Sequence, residues 1–419
     1  MNVDRVVAVL ANTLYVIERK SIGVRRAFSY VCRVHGCGKT LLDREFLFEL
    51  ALRFVSSYYT LLYIVERSSR VKRYSHKVLA RLFLYKWLLE EGERVDSRLR
   101  KSVERDLPGV GRVLTDIEEP WAMLSYPKWL FDKVINVMPV DEAIAMLNAM
   151  NRRVVWVRIN TLRIDVDKAL HELERNGIVY EVEKSIPFLI RVIRSKTPIR
   201  RIDLFKNGSI IVQDKASVLT VIALRPEPNM LIYDFAAAPG IKTSLIMQLT
   251  ENRARVIAID MSRKRLEAMK LLLQVYGVDV NRVDLVLGDS RTISLSRCSD
   301  AALVDAPCSS SGAVSKDPAV KIILRDSRIP KRMSEIQKRM LMNALRYSDR
   351  VTYATCSILP DEGEEVIEDV LKMSVEHKLM DAPIPVSRGY KAYSIWSKVR
   401  RTLPHIDNSE GFFIANLEK

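Results

Sequence analysis

The stretch LIYDFAAAPGIKT, residues 231–243, decides the fold. An apolar run ends at Asp234, the small residues Ala236, Ala237, Ala238, Pro239 and Gly240 follow, and Lys242 and Thr243 open a helical segment. Small side chains at a strand-to-helix turn let a ligand approach the backbone closely. Asp260 ends the next strand-like run, RVIAID, 20 residues after Gly240. An acid in that place can bind ribose hydroxyls. The pattern is that of a nucleoside-cofactor site, and its plain competitor is a βα turn with a strand-end aspartate. A dinucleotide would require G-x-G-x-x-G, so that a pyrophosphate reaches a helix N-terminus. Here only Gly240 is present. S-adenosylmethionine has no phosphate, so a single close-approach loop suffices, and Asp289 in LVLGDS can contact its adenine or its amine.

Around this stretch, from residue 209 onward, strand-like runs alternate with helical ones. The strand-like runs are LIYDF, RVIAID, VDLVL, AALVD, RVTYAT and GFFIANL; SRKRLEAMKLLLQVYG and KRMSEIQKRMLMNALRY are helical. Such alternation predicts a doubly wound α/β sheet over 209–419, with ligands at the carboxyl ends of the strands. Residues 126–208 read as a small α/β unit, with strand-like VVWVRIN and PFLIRVI flanking helical DVDKALHELERNG. Its end carries Arg191, Arg194, Lys196, Arg200 and Arg201, either a phosphate-facing patch or a solvated loop. Residues 1–125 read as all-α: Leu47, Leu50, Ala51, Phe54, Tyr58, Leu61 and Leu62 recur at helical spacing, as do Val78, Leu82, Tyr85 and Leu89. A basic connector, ERSSRVKRYSHK, lies between them.

Composition narrows the partners. A chain of 419 residues suggests two or three domains, and 48% apolar content supports a large core. No apolar run reaches the ~18 residues that a membrane span needs, and the N-terminus lacks a signal-peptide pattern, so a cytoplasmic location is the default expectation. The net charge of +16 is spread along the chain, which points to a polyanion, nucleic acid first, against the bland reading of a charged surface. The cysteines are Cys32, Cys37, Cys298, Cys308 and Cys356, an odd number without framework spacing. Disulfides are therefore not expected. Cys32, His35 and Cys37 lack a second ligand pair, so no metal is expected either. GCGKT at 36–40 imitates the end of a P-loop, but Arg33 stands where the motif requires glycine.

DAPCSSSG at 305–312 and VTYATCSILPDEGEE at 351–365 each follow a strand-like run. Both belong on the rim that holds the cofactor loop. Buried structural cysteines usually sit inside an element; Cys308 and Cys356 sit at strand exits. Carbon 5 of cytosine is a poor nucleophile, and a thiolate adding to C6 makes C5 enamine-like and able to take a methyl group. A covalent cysteine is thus a sign of carbon methylation. A free thiol ionises near pH 8.5, so the site must favour the thiolate or remove its proton on attack. Pro360 and the acids Asp361, Glu362, Glu364 and Glu365 suit a helix N-terminus and read as structural.

On PKWL, VRINTL, IIVQDKAS, DFAAAPGIKT, the acid of AIDMS, DAPCSSSG, TYATCSI and EGFFIANL, the chain resembles the Sun (Fmu, or Nop/Sun) family of RNA cytosine-5 methyltransferases over residues 127–419. The resemblance implies a Rossmann-like class I methyltransferase domain behind a small RNA-binding α/β unit. It makes Cys356 the nucleophile and Cys308 the aid to product release. Asp305 would hold the cytosine edge near N3 and N4, with Lys242 in support. Ala236, Ala237, Ala238, Pro239, Gly240, Ile241 and Lys242, with Asp260, Arg265, Asp289 and Asp305, would line S-adenosyl-L-methionine. The RNA would be ribosomal or transfer RNA, and the protein a monomer. The family usually has Cys at Ala236 and Gly at Ile241, which bears on the loop path, and a frequent Asn where Gly363 stands. The helical block, through ARLFLYKWLL, resembles the NusB-type RNA-binding domain.

Two rivals stand beside this reading. A DNA cytosine-5 methyltransferase would use a Pro-Cys motif such as Pro307-Cys308, but Cys356 in TCS and the upstream unit argue against it. A non-enzymatic RNA-binding factor would not need Asp305, Cys308 and Cys356 together.

Overall fold

The computed structural model describes residues 3–37, 41–68, 74–374 and 376–419. Gly38, Lys39 and Thr40 of the P-loop look-alike, and residues 69–73 of the basic connector, lie outside the described residues. The chain forms two compact units: Met1–Asn151 with Ala313–Ser327, and Arg152–Gly312 with Arg328–Lys419.

The first unit is all-α, as the periodicity predicts. Two of its helices, His76–Glu90 and Ser97–Asp106, begin where a side-chain oxygen caps free N–H groups: Ser75 accepts from Val78 N at 3.3 Å, and Asp96 from Arg98 N and Leu99 N at 2.9 and 3.1 Å. Leu10, Leu14, Ile17, Phe54, Leu61, Ile64, Leu79 and Phe83 form its core. Leu89, expected inside, lies in the last turn of His76–Glu90 and is exposed.

Unexpectedly, residues 313–327 of the chain's second half complete this core. Ala319 and Ile322 are buried in it. The Asp317 carboxylate accepts from Val24 N at 3.1 Å, at the start of the helix Val24–His35. Lys321 is wholly buried; its ammonium donates to Ser56 O and Leu124 O at 3.1 and 3.2 Å and lies over the Tyr126 ring. Burial pushes that ammonium well below the usual lysine range. A second correction concerns Cys32 and Cys37, which are joined in a disulfide. Cys32 lies in the last turn of the helix Val24–His35, Gly36 reverses the chain at φ 67°, and the two Cα atoms come within 4.8 Å. Local chain reversal, not a framework of spacings, makes this bond.

The second unit holds two sheets. The smaller has the order β2-β3-β1-β4, built from β1 (Val155–Ile159), β2 (Ile178–Glu183), β3 (Ile186–Ser195) and β4 (Ile210–Val212), with β1 antiparallel to β3 and β4. Val157, Ile159, Leu173, Ile190 and Ile210 are its core. Arg191 of the basic run sits opposite Glu181 on β2 and pairs with it at 2.5 Å, whereas Arg194, Lys196, Arg200 and Arg201 are exposed.

The larger sheet comprises β5 (Leu231–Asp234), β6 (Arg255–Asp260), β7 (Val283–Leu287), β8 (Ser299–Asp305), β9 (Ser348–Thr355), β10 (Lys378–Met380), β11 (Ser387–Arg388), β12 (Arg400–Thr402) and β13 (Phe412–Glu418). Its order is β11-β12-β13-β9-β8-β5-β6-β7, with β10 beside β13. Every strand-like run named from the sequence is a strand here. β7, β6, β5, β8 and β9 are parallel; β13 returns antiparallel on β9. Because β5 neighbours both β6 and β8, the winding direction reverses at β5, and the cleft of a doubly wound sheet lies at such a reversal.

Candidate active site

Three loops leave the carboxyl ends of the adjacent strands β5, β8 and β9. They carry 235–240, 306–312 and 356–359. The β5 loop is built tightly. Ala237 and Ala238 are buried, the Ala238–Pro239 peptide is cis, and Gly240 caps the helix Ile241–Leu249 at φ 98°. A Cβ on Gly240 would meet Met269 Cγ at 2.8 Å, so glycine is required for space as well as for backbone angle. Ile241, where the resemblance implies glycine, takes the first helical position and packs on the hydrophobic core. The loop path is formed without a second glycine.

Support for this loop comes from a residue that the sequence reading quoted only as part of a motif. Arg158 on β1 is wholly buried and donates to Ser244 Oγ at 2.7 Å, to Ile241 O at 3.4 Å and to Gln248 Oε1. It ties the small sheet to the first turns of the helix that follows the loop. Burial without a carboxylate beside it brings its guanidinium down to about 9. Asn160 does similar work, donating to Gly208 O and Tyr276 O, each at 2.8 Å. A buried arginine in an apolar strand gives no sequence signal beyond its misfit with the alternation.

Three of the acids on this rim, Asp260, Asp289 and Asp305, each meet a base. Asp260 accepts from Ser262 N at 3.0 Å and pairs with Arg265 at 3.1 Å; Arg265 also donates to Ala238 O. Asp289 is bound by Arg291 through its backbone N–H and its guanidinium, which holds its carboxyl below the usual range. Asp305 pairs with Lys242 at 2.6 Å. Burial opposes the charge on Lys242, but Asp305 and then Cys356 outweigh it and raise the ammonium. Asp234, buried at the end of β5, accepts from Thr243 Oγ1 at 2.7 Å and is pushed up to about 6 by burial.

The two rim cysteines meet. Cys308 Sγ and Cys356 Sγ are 3.0 Å apart, and Cys356 lies 3.6 Å from Ser310 Oγ. The bond to Cys356, burial and the charge of Glu362 push the Cys308 thiol well above its ordinary range. Parallel pairing sets the approach: Asp305 lies opposite Ala354, and Ala306 N donates to Ala354 O at 3.0 Å. Further on, Gly312 N donates to Cys356 O at 3.0 Å, and Ser311 Oγ bonds Ser357 Oγ at 2.8 Å. Asp305, Lys242, Cys308 and Cys356 are thus one cluster, while Asp260, Arg265 and Asp289 line the neighbouring strand ends. Glu362 and Glu364 stand in the first turns of Pro360–Glu362 and Glu364–Met373, as read from sequence, and both are wholly buried. Glu364 forms a two-point ion pair with Arg401 at 2.8 and 2.5 Å, and Arg401 donates to Ser357 O at 3.0 Å.

Known proteins are similar to this chain. Residues 221–418 match the family described as 16S rRNA methyltransferase RsmB/F, and residues 126–199 match its ferredoxin-like domain. The 25S rRNA (cytosine-C(5))-methyltransferase nop2 of Schizosaccharomyces pombe is 30% identical over 326 residues, 74% of this chain and 53% of that protein. Ribosomal RNA small subunit methyltransferase B of Sodalis glossinidius is 29% identical, over 73% of this chain and 69% of its own. The chain therefore spans about half of the fungal relative and about two thirds of the bacterial one. The crystal structure of PH0851 superposes with a TM-score of 0.79 over 100% of this chain and 99% of its own, at 24% identity, and so shares the fold, all-α part included. The chain belongs to the RsmB/F, or Sun/Fmu, family of methyltransferases.

Proposed function

We propose that the protein is an S-adenosylmethionine-dependent RNA (cytosine-C5)-methyltransferase that works through a covalent cysteine adduct. The observation that carries this reading is the pair of thiols 3.0 Å apart beside the Lys242–Asp305 ion pair. The fit to the cofactor rests on chemistry. Buried alanines and one close-packed glycine form the β5 loop, with carboxylates at the ends of β6 and just beyond β7. That set suits a nucleoside without phosphates. Ala236 to Lys242 with Asp260, Arg265 and Asp289 would hold it, and when bound it supplies an electrophilic methyl group.

The chain's own residues account for the rest. Cys356 attacks C6 of the cytosine, and the electron pair moves to C5, which takes the methyl group. A base, such as a water molecule, then takes the C5 proton, the C5–H electron pair re-forms the C5–C6 double bond, and the S–C6 bond breaks with its electrons returning to the Cys356 sulfur. Cys308, whose thiol holds its proton strongly, attends that release. Asp305 orients the cytosine edge, and Lys242 orients Asp305. The target base must leave its stack to reach the cluster, so an unpaired or flexible site suits it.

The names of the relatives make ribosomal RNA the first substrate to test and transfer RNA the second. RNA incubated with protein and S-adenosylmethionine, then sequenced after bisulfite treatment, should show new protected cytosines. No protection in either RNA, with properly folded protein, contradicts the proposal.

A further inference from the structure

Glu362 is completely buried between the two cysteine loops. Its Oε1 accepts from Ser309 N at 2.7 Å and Gln337 Nε2 at 3.1 Å; its Oε2 accepts from Ser357 Oγ at 2.7 Å and from Ser309 Oγ. Ser309 follows Cys308 directly, and Ser357 follows Cys356. One carboxylate therefore grips the residue after each cysteine. Its own backbone carbonyl accepts from Tyr353 OH at 2.9 Å and Thr355 Oγ1 at 3.0 Å, fixing it to β9. Gln337 also donates to Pro307 O at 2.9 Å, on the other side of Cys308.

We propose that Glu362 is a positioning residue for methyl transfer, fastening the Cys308 and Cys356 loops together so that the two sulfurs face each other. Burial raises the Glu362 carboxyl above its usual range, and the four donors from Ser309, Ser357 and Gln337 oppose that by favouring the ionised form, which accepts from all of them at once. Its partners are hydroxyls, an amide and a backbone N–H, not a cation. Arg401 is committed to Glu364, and Tyr353, whose hydroxyl donates to the Glu362 backbone carbonyl, is kept protonated by burial. The anion thus acts on Cys308 without a neutralising partner. It disfavours a second negative charge there and leaves attack to Cys356. A purely structural buried acid would hold the loops but leave the two thiols equivalent.

This inference rests on the methyltransferase reading, but its test does not require turnover. Full-length protein is alkylated with iodoacetamide between pH 6 and 10, and initial rates at Cys308 are read by peptide mass spectrometry. With Glu362→Gln, the Cys308 profile should move to lower pH. In turnover, kcat should fall about tenfold or more with an unchanged KM for S-adenosylmethionine, as for an interaction made only at the chemical step. Ser309→Ala removes one donor to Oε2 and should shift the profile in the same direction by less; it decides the matter if Glu362→Gln does not fold. A Cys308 profile identical to wild type in the folded variants overturns the proposal. If the profile shifts but no RNA is methylated by any form, the clamp stands and the activity assignment fails.

Discussion

Cys308 Sγ and Cys356 Sγ stand 3.0 Å apart although 48 residues separate them in the chain. Adjacent parallel strands, β8 and β9, deliver them side by side, and a serine after each is held by one glutamate. The pair is therefore a product of sheet order, which places consecutive loops of a doubly wound sheet on one rim.

Gly312 is the hinge on which the two cysteine loops touch. Its N–H donates to Cys356 O, and its carbonyl accepts from Gly411 N at 2.9 Å. A Cβ there would strike Gly411 O. Gly312→Ala should cut methyl transfer at least about tenfold by moving the Cys356 backbone, since small misplacements of reacting groups are costly. Steady-state kinetics together with a thermal melt check this; a wild-type kcat would mean that the contact yields freely.

The Glu364–Arg401 pair should matter to stability. Both side chains are almost fully buried, and Arg401 also lies against the Tyr390 and Phe413 rings at 4.1 and 5.1 Å. Glu364→Gln leaves a buried guanidinium uncompensated and should destabilise the fold by about 3–5 kcal/mol. Urea unfolding measures it; a change below about 1 kcal/mol, the range of exposed pairs, would contradict the assignment.

Asp234 predicts a pH dependence. Its folded carboxyl is pushed up to about 6 from 3.8 by burial. The folded state therefore holds the proton more tightly, so the stabilisation from this group is present below the unfolded value and is lost as pH rises through about 6. Asp234→Asn has no such titration. Wild type should gain stability relative to Asp234→Asn as pH falls from 7 to 4, read as the difference in melting temperature. A difference that stays constant over that range would contradict it.

Much of this site was legible in sequence because strand-end residues announce themselves. An apolar run that stops at Asp234, Asp260 or Asp305 marks the rim, and cysteines at 308 and 356 just past such runs mark the chemistry. β2 was harder to see: it lies at one end of the small sheet, exposes Val179 and Val182, and carries Glu181 and Glu183 among its apolar residues. The Cys32–Cys37 disulfide was hidden because it depends on the reversal at Gly36, not on spacing. Residues 313–327 read as part of the α/β half, yet Ala319 and Ile322 fill the all-α core, a long-range packing choice that local periodicity does not encode. Glu362 and Glu364 take the helix-start places that their spacing implies; their burial, and the bonds from Glu362 to Ser309 and Ser357, leave no mark in the local sequence.

The most direct test of a covalent route is to trap the bond itself. Cys308→Ala protein, incubated with S-adenosylmethionine and substrate RNA, should run as a protein–RNA adduct on a denaturing gel, with mass spectrometry placing the linked nucleotide on the peptide that contains Cys356. Adding Cys356→Ala should abolish both adduct and methylation. Near-normal methylation by Cys356→Ala protein, or a linked nucleotide on any other residue, would contradict the account.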